Sequence, residues 1–263
     1  MHVTIINDCH DENAAARQLT RVGRLFPQAS VSLAGVSDYG DLSAAGMLID
    51  VLDAGRGGQG VVLVNVAPRH KGSKKWPNGT PFGYFRFEDT LVVSSVDGLT
   101  LSLVKKLGVA GEIHVLDVPT VAPILAHEGV IDEEHAAHLL ETQFRSFDFT
   151  PFAAAALAHD VELPSEELSL GDVSDAPAAI WWVDNFGNCK TTLLPQDVGF
   201  VPGRRITLGD QSLTCYGHLK DVPKGEAAPI EGSSGLPGRR FLEIVVQGGR
   251  AEELGFSVGS ELE

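Results

Sequence analysis

Apolar residues along the first half of the chain change period repeatedly, from short β-branched runs to stretches where they recur every three or four positions. The runs at 3–7, 29–36, 61–66, 91–95 and 112–116 predict strands, and the stretches at 12–26, 42–52, 100–107 and 149–159 predict helices. In the first helical stretch Ala15, Leu19, Val22 and Leu25 share one side, which should pack on the sheet. Alternation of this kind predicts an α/β domain with a mostly parallel sheet and helices on both faces. Between residues 160 and 176 there are six acidic residues and no basic one, with Pro164 and Gly171 interspersed, and this reads as an exposed linker. Beyond it, short runs at 179–184, 190–194, 205–208, 212–216 and 241–246 are separated by Gly/Pro turns, the pattern of a small all-β barrel or sandwich. The expected organisation is an N-terminal α/β domain over 1–162, an acidic linker over 163–177 and a C-terminal β-barrel domain over 178–263.

Composition narrows the function classes. The 263 residues are 43% hydrophobic, enough for a substantial core, and 20 Lys+Arg against 35 Asp+Glu leave a net charge of −15. Such a chain repels phosphate backbones and anionic lipid, so neither nucleic acid nor membrane is an expected partner. No apolar run approaches the roughly 18 residues of a membrane span, and Met1 leads almost directly into a strand, so the expected location is the cytoplasm. Cys9, Cys189 and Cys215 are too few and too far apart for a disulfide framework.

Several clusters invite a chemical reading, each beside a plainer one. Gly55-Arg-Gly57-Gly-Gln-Gly60 spells a dinucleotide fingerprint, but it precedes a strand instead of following one and so reads as a turn. His135 and His138 would share a helix face as metal ligands, or simply belong to an exposed acidic helix, and no third ligand stands at a recognised spacing. Asp8, at the end of the first strand, is placed to accept ribose hydroxyls, or Asp8 or Asp11 merely caps the next helix. Arg69, Lys71, Lys74 and Lys75 with Trp76 form a positive loop, which either holds an anion or is a solvated segment balancing acidic neighbours. In Trp181-Trp182-Val-Asp184-Asn-Phe186-Gly-Asn188 an aromatic, a carboxylate and an amide either receive a purine and an ammonium or only build a hairpin turn.

Taken in order, several segments resemble the S-adenosylmethionine hydroxide adenosyltransferase family, which includes the fluorinases and chlorinases. The carriers are Ile5-Ile-Asn-Asp8, Phe144-Arg-Ser-Phe-Asp148-Phe-Thr-Pro-Phe-Ala-Ala-Ala, Val183-Asp-Asn-Phe-Gly-Asn-Cys-Lys-Thr, Asp221-Val-Pro-Lys-Gly-Glu, Gly232-Ser233-Ser234-Gly235 and the strand from Phe241. The resemblance implies an N-terminal α/β domain, a C-terminal β-barrel and a homotrimer, with S-adenosylmethionine as substrate or ligand at the subunit interface and no separate cofactor. It implies ribose binding by Asp8, adenine contacts by Phe186 and Asn188, and binding of the methionine end by Asp184 and Ser233, with Ser234 beside it. The implied reaction is nucleophilic attack at C5′, giving adenosine or a 5′-substituted adenosine and L-methionine.

The family's water-handling Asp, Arg and His are replaced. Asn65 stands for the Asp, Gly72 with Lys71 beside it for the Arg, and Arg145 for the His. An amide accepts no proton as a carboxylate does, and an Arg with a pKa above about 12 is no base at neutral pH. The Gly-rich segment after the third strand has become Asn65-Val-Ala-Pro-Arg69, Ser95-Val-Asp97-Gly98 replaces Pro-Asp-Asn-Gly, and Cys9-His10 replaces Phe-Gly. Two classes of function therefore remain expected: an adenosyl-cleaving enzyme with altered catalytic groups, or an inactive relative that binds an adenosyl ligand or serves as an oligomeric scaffold.

Overall fold

The structure is a computed structural model describing residues 1–66 and 81–263. It divides into two compact units, Met1–Ser174 and Asp175–Glu263.

The first unit contains β1 (His2–Asn7), α1 (Glu12–Leu25), β2 (Ser30–Gly35), α2 (Asp41–Ala54), β3 (Gly60–Asn65), β4 (Phe82–Phe87), β5 (Thr90–Ser95), α3 (Ser102–Lys106), β6 (Glu112–Leu116), α4 (Val118–His127), α5 (Glu133–Glu141), α6 (Arg145–Asp148), α7 (Thr150–Ala158) and β7 (Ser165–Ser169). Its sheet has the order β2-β1-β3-β5-β4-β6-β7. β1, β2, β3 and β5 pair in parallel, β4 is antiparallel to both β5 and β6, and β7 is antiparallel to β6. Five of the seven strands thus run in one direction, the α/β arrangement that the alternating pattern predicts.

The apolar runs of β3 and β5 are buried on both faces, as covered central strands require. Val3, Ile5, Val61, Leu63, Leu91 and Val93 point into a core shared with α1, α4, α5 and α7. By pleat alternation Ile6, Val62, Val64 and Val92 face the other side, where α2 packs on β1, β3 and α3. The run Ala153 to Ala156 is completely buried, because small side chains let α7 lie close over β3 and β5.

The acidic stretch corrects the linker expectation. Ser165–Ser169 is edge strand β7, paired to β6 with most of its side chains exposed, and the unit boundary follows it at Ser174. Glu166 and Glu167 suit that position, since charge on an edge strand discourages further pairing.

The second unit is all-β: β8 (Ile180–Val183), β9 (Cys189–Thr191), β10 (Arg205–Leu208), β11 (Gln211–Thr214), β12 (Ala227–Leu236) and β13 (Arg239–Val246). β12-β13-β9-β8 form an antiparallel sheet, and β10-β11 form a hairpin. Ile180, Leu208, Cys215, Leu242, Ile244 and Leu262 belong to one core. Among the described residues no helix is long and apolar enough to cross a membrane.

Candidate functional site

Asn7 and Asn65 are register partners at the carboxyl ends of parallel strands β1 and β3. Asp8 follows, its N–H donating to the Asn65 carbonyl at 3.3 Å. From β1 the chain passes to β2 on one side, whereas β3 lies on the other. Such a switch point parts the loops above the sheet and opens a crevice at the strand ends.

A cavity of about 910 Å³ opens there, within the size range of small-molecule sites. Asp8, Asn65 and Arg145 all line it, as do Cys9, His10, Tyr39, Thr142 and Phe144. Three of the residues singled out from the sequence thus meet in one place. Lys71, together with Arg69, Gly72, Lys74, Lys75 and Trp76, lies outside the described residues.

The two readings of the first turn now separate. Asp11 is the N-cap of α1, its carboxylate accepting from the N–H groups of Asn13 and Ala14 at 3.0 and 3.2 Å. Asp8 lines the cavity. Beneath it, buried Asn7 accepts from the Cys9 N–H and from Asn65 Nδ2, both at 3.0 Å. The Asn7 Nδ2 has no partner among the described residues. A buried unpaired donor costs about 1–3 kcal/mol, so its presence directly below the cavity floor calls for an explanation beyond packing.

The cavity wall at 140–146 is held from behind. The Thr142 hydroxyl donates to Asp148 at 2.7 Å and accepts from the Phe144 N–H at 3.0 Å, leaving Phe144 72% exposed. Burial lowers the Arg145 pKa below its ordinary value, opposed by the charge of Asp117, and the guanidinium remains a cation at neutral pH. Tyr39, also in the lining, has φ of 60°, a strained backbone for a bulky residue. Sequence reasoning missed Tyr39 and Thr142. The position of Tyr39 beyond the carboxyl end of β2 was the available signal, whereas nothing in the sequence reveals the Thr142–Asp148 bond.

In the second unit the Asp184 turn is closed by its own hydrogen bonds. Asp184 Oδ1 accepts from the N–H groups of Phe186 and Asn188 at 2.8 and 2.9 Å, and Oδ2 accepts from Asn188 Nδ2 at 3.0 Å. This leaves Phe186 67% exposed and accounts for the hairpin reading of the segment. Gly187 is required by the turn: its φ is 80°, and a Cβ would stand 2.6 Å from Cβ of Arg250. Gly187→Ala should therefore destabilise the protein by about 2–3 kcal/mol in denaturant unfolding. Ser233 and Ser234 lie on β12 where its register with β13 slips between Glu231 and Gly235. The Ser233 carbonyl accepts from Arg240 at 2.9 Å, and Ser234 is buried.

The remaining candidates find structural roles. The Gly55–Gly60 stretch joins α2 to β3 as a turn, with Gly57 at φ 76°. His135 packs edge-on against Phe152 and meets the Asp148 carbonyl at 3.1 Å, and His138 meets the Asp148 carboxylate at 3.3 Å. Among the described residues no three His, Cys, Asp or Glu side chains are placed to share a metal ion. All three cysteines are free. Partial burial, then the charges of Asp11 and Asp8, push the Cys9 thiol pKa up, and burial pushes that of Cys189 up to about 12, so neither is a thiolate at neutral pH.

These features define an α/β unit with a ligand-sized cavity at the switch point of its sheet, joined in one chain to an all-β unit. No family profile matches the sequence, and no curated protein does. The fold is similar to the crystal structure of an uncharacterized conserved protein from Thermotoga maritima, with a TM-score of 0.68 and 18% identity over 99% of this chain and 98% of that one. It is also similar to a conserved hypothetical protein from Thermus thermophilus, with a TM-score of 0.63 and 20% identity over 99% of both chains. At such identities the likeness speaks for the fold alone.

Proposed function

We propose that the protein binds S-adenosylmethionine or a close adenosyl relative and supports nucleophilic attack at its C5′, releasing L-methionine and adenosine or a 5′-substituted adenosine. The observation that carries this reading is the meeting of Asp8, Asn65 and Arg145 in one cavity at the ends of β1 and β3. In this reading Asp8 accepts the ribose hydroxyls and Arg145 faces the nucleophile. Asp184, Phe186, Asn188, Ser233 and Ser234 receive the amino acid and adenine ends from a neighbouring subunit of a homotrimer.

The second unit then acts as a closed β-barrel. Two sets of contacts favour closure: Tyr216 N–H bonds the Pro229 carbonyl, linking the hairpin to β12, and residues 259–262 bond the chain at Ala178 and Ile180. The cytoplasm, where S-adenosylmethionine is available, is the location this reading assigns.

A sulfonium leaves as a neutral thioether, so the leaving group needs no acid. The remaining work is to align the nucleophile and strip it of water. Asn65 offers no carboxylate base and gives an amide N–H to Asn7, while Arg145 is a fixed cation, so the pair suits an anionic nucleophile better than a base-activated water. Purified protein incubated with S-adenosylmethionine, with and without halide, should release methionine together with an adenosine product on chromatography. Absence of every such product removes the catalytic half of the proposal.

The missing base also favours a second reading, an inactive relative that binds an adenosyl ligand or only assembles. Calorimetry separates these two: saturable binding without turnover supports the binder, and no binding of S-adenosylmethionine or adenosine at millimolar concentration leaves the scaffold.

A further inference from the structure

A second cavity in the first unit takes no part in that reading. It measures about 700 Å³ and is bordered by α1, the approach to α5 and the α6 turn. Arg17, Arg21 and Arg24 line it. Their spacing of four and three residues puts them on one face of α1, spread over about 10 Å of its length. The Arg17 and Arg21 guanidinium carbons stand 4.2 and 3.6 Å from the Phe147 ring centroid, so an aromatic surface orients two of the three planar cations.

The charges are unequally answered. Arg21 pairs with Asp148 at 3.0 Å and donates to the Phe147 carbonyl at 2.8 Å. Arg17 and Arg24 form no ion pair with any described residue. The acid at the rim, Asp132, is engaged as the N-cap of α5, accepting from the His135 N–H at 2.7 Å. A chain of net charge −15 thus keeps two guanidiniums with no ion pair among the described residues, and part of a third, in one groove lined also by apolar Val130, Ile131 and Phe152.

We propose that this groove binds a small phosphorylated molecule carrying a diphosphate. Guanidinium forks match phosphoryl oxygens in bidentate pairs. Three of them along 10 Å of helix outnumber what a single phosphate occupies, and the apolar lining receives the uncharged part of the ligand. The inference is independent of the adenosyl reading, because none of these residues lines the first cavity.

Titration calorimetry with sodium pyrophosphate at low ionic strength tests it. The wild-type protein should give a saturable one-to-one isotherm, tighter than for orthophosphate and surviving sodium chloride at matched ionic strength. Arg17→Ala with Arg24→Ala should weaken it at least about tenfold at unchanged far-ultraviolet circular dichroism, whereas Arg145→Ala should leave it unaltered. In wild-type protein, pyrophosphate should slow amide exchange at residues 16–24 and 130–135, a readout that needs no variant to fold. An absent isotherm, equal affinity for orthophosphate, unchanged affinity in the double variant, loss in Arg145→Ala or protection elsewhere overturns the proposal.

Discussion

Asp8→Ala should reduce S-adenosylmethionine affinity about a hundredfold or more, because the carboxylate is assigned both ribose hydroxyls and a charged hydrogen bond contributes about 1.5–3 kcal/mol. Two such bonds lost together leave little saturable binding in the millimolar range. Asp8→Asn, which keeps the volume and one acceptor oxygen, should fall between alanine and wild type. The informative control is Asp11→Asn, three residues away on the same cavity. Asp11 caps α1, and asparagine is as good a cap as aspartate, so binding and stability should both hold. Calorimetric titration of the three variants decides the point. Equal affinity for Asp8→Ala and wild type would remove Asp8 from the site and with it the main support for a ribose.

The fold was legible where local pattern and burial agree. β1, β3 and β5 are apolar runs because helices cover both their faces, so period alone identifies them. Elements were missed where tertiary context overrides local preference. α4 contains Pro123 and has Pro119 in its first turn, and both discourage a helical reading, although a proline in the first turn costs no hydrogen bond. β12 contains Pro229, Gly232 and Gly235, and its bulge explains the last: Gly235 has φ of 102°, and a Cβ would approach the Arg239 carbonyl to 2.5 Å. β4 is interrupted by Gly83, where a Cβ would stand 2.7 Å from Ile113, so the glycine reflects close packing against β6 and not a break. β7 is acidic and exposed, and its strand character comes from pairing with β6.

The site was legible to a different degree. The rule that ligands meet the carboxyl ends of parallel strands placed Asp8, and the resemblance supplied Asn65 and Arg145. Their meeting is a property of topology: β1 and β3 are adjacent only because β2 turns away to the other side. The support behind the wall was illegible, since it depends on contacts as distant as Arg21 with Asp148.

That support carries the second large effect. Asp148 is buried and accepts from Thr142, Arg21 and His138. Burial by itself raises its pKa, but the three hydrogen bonds and the Arg21 charge outweigh it and hold the carboxyl below its ordinary value of 3.8. The charged form therefore favours the fold. Its contribution is complete above the ordinary carboxylate pKa and is lost as pH falls through the lower folded value. Asp148→Asn should leave a half-buried Arg21 without its counterion and cost about 3 kcal/mol at pH 7, the lower end of the range for breaking a buried pair. For a protein of this size that lowers the unfolding temperature by about 6–12 °C. Because the variant has no carboxylate to protonate, the gap from wild type should narrow between pH 4 and pH 3 in urea titrations. A variant within about 0.5 kcal/mol of wild type at pH 7, the ordinary range for surface substitutions, or a gap unchanged at pH 3 would show that Asp148 does not anchor this wall. In the expected case the loosened Thr142 should also weaken ligand binding in the first cavity, making stability and affinity fall together in a residue that never touches the ligand.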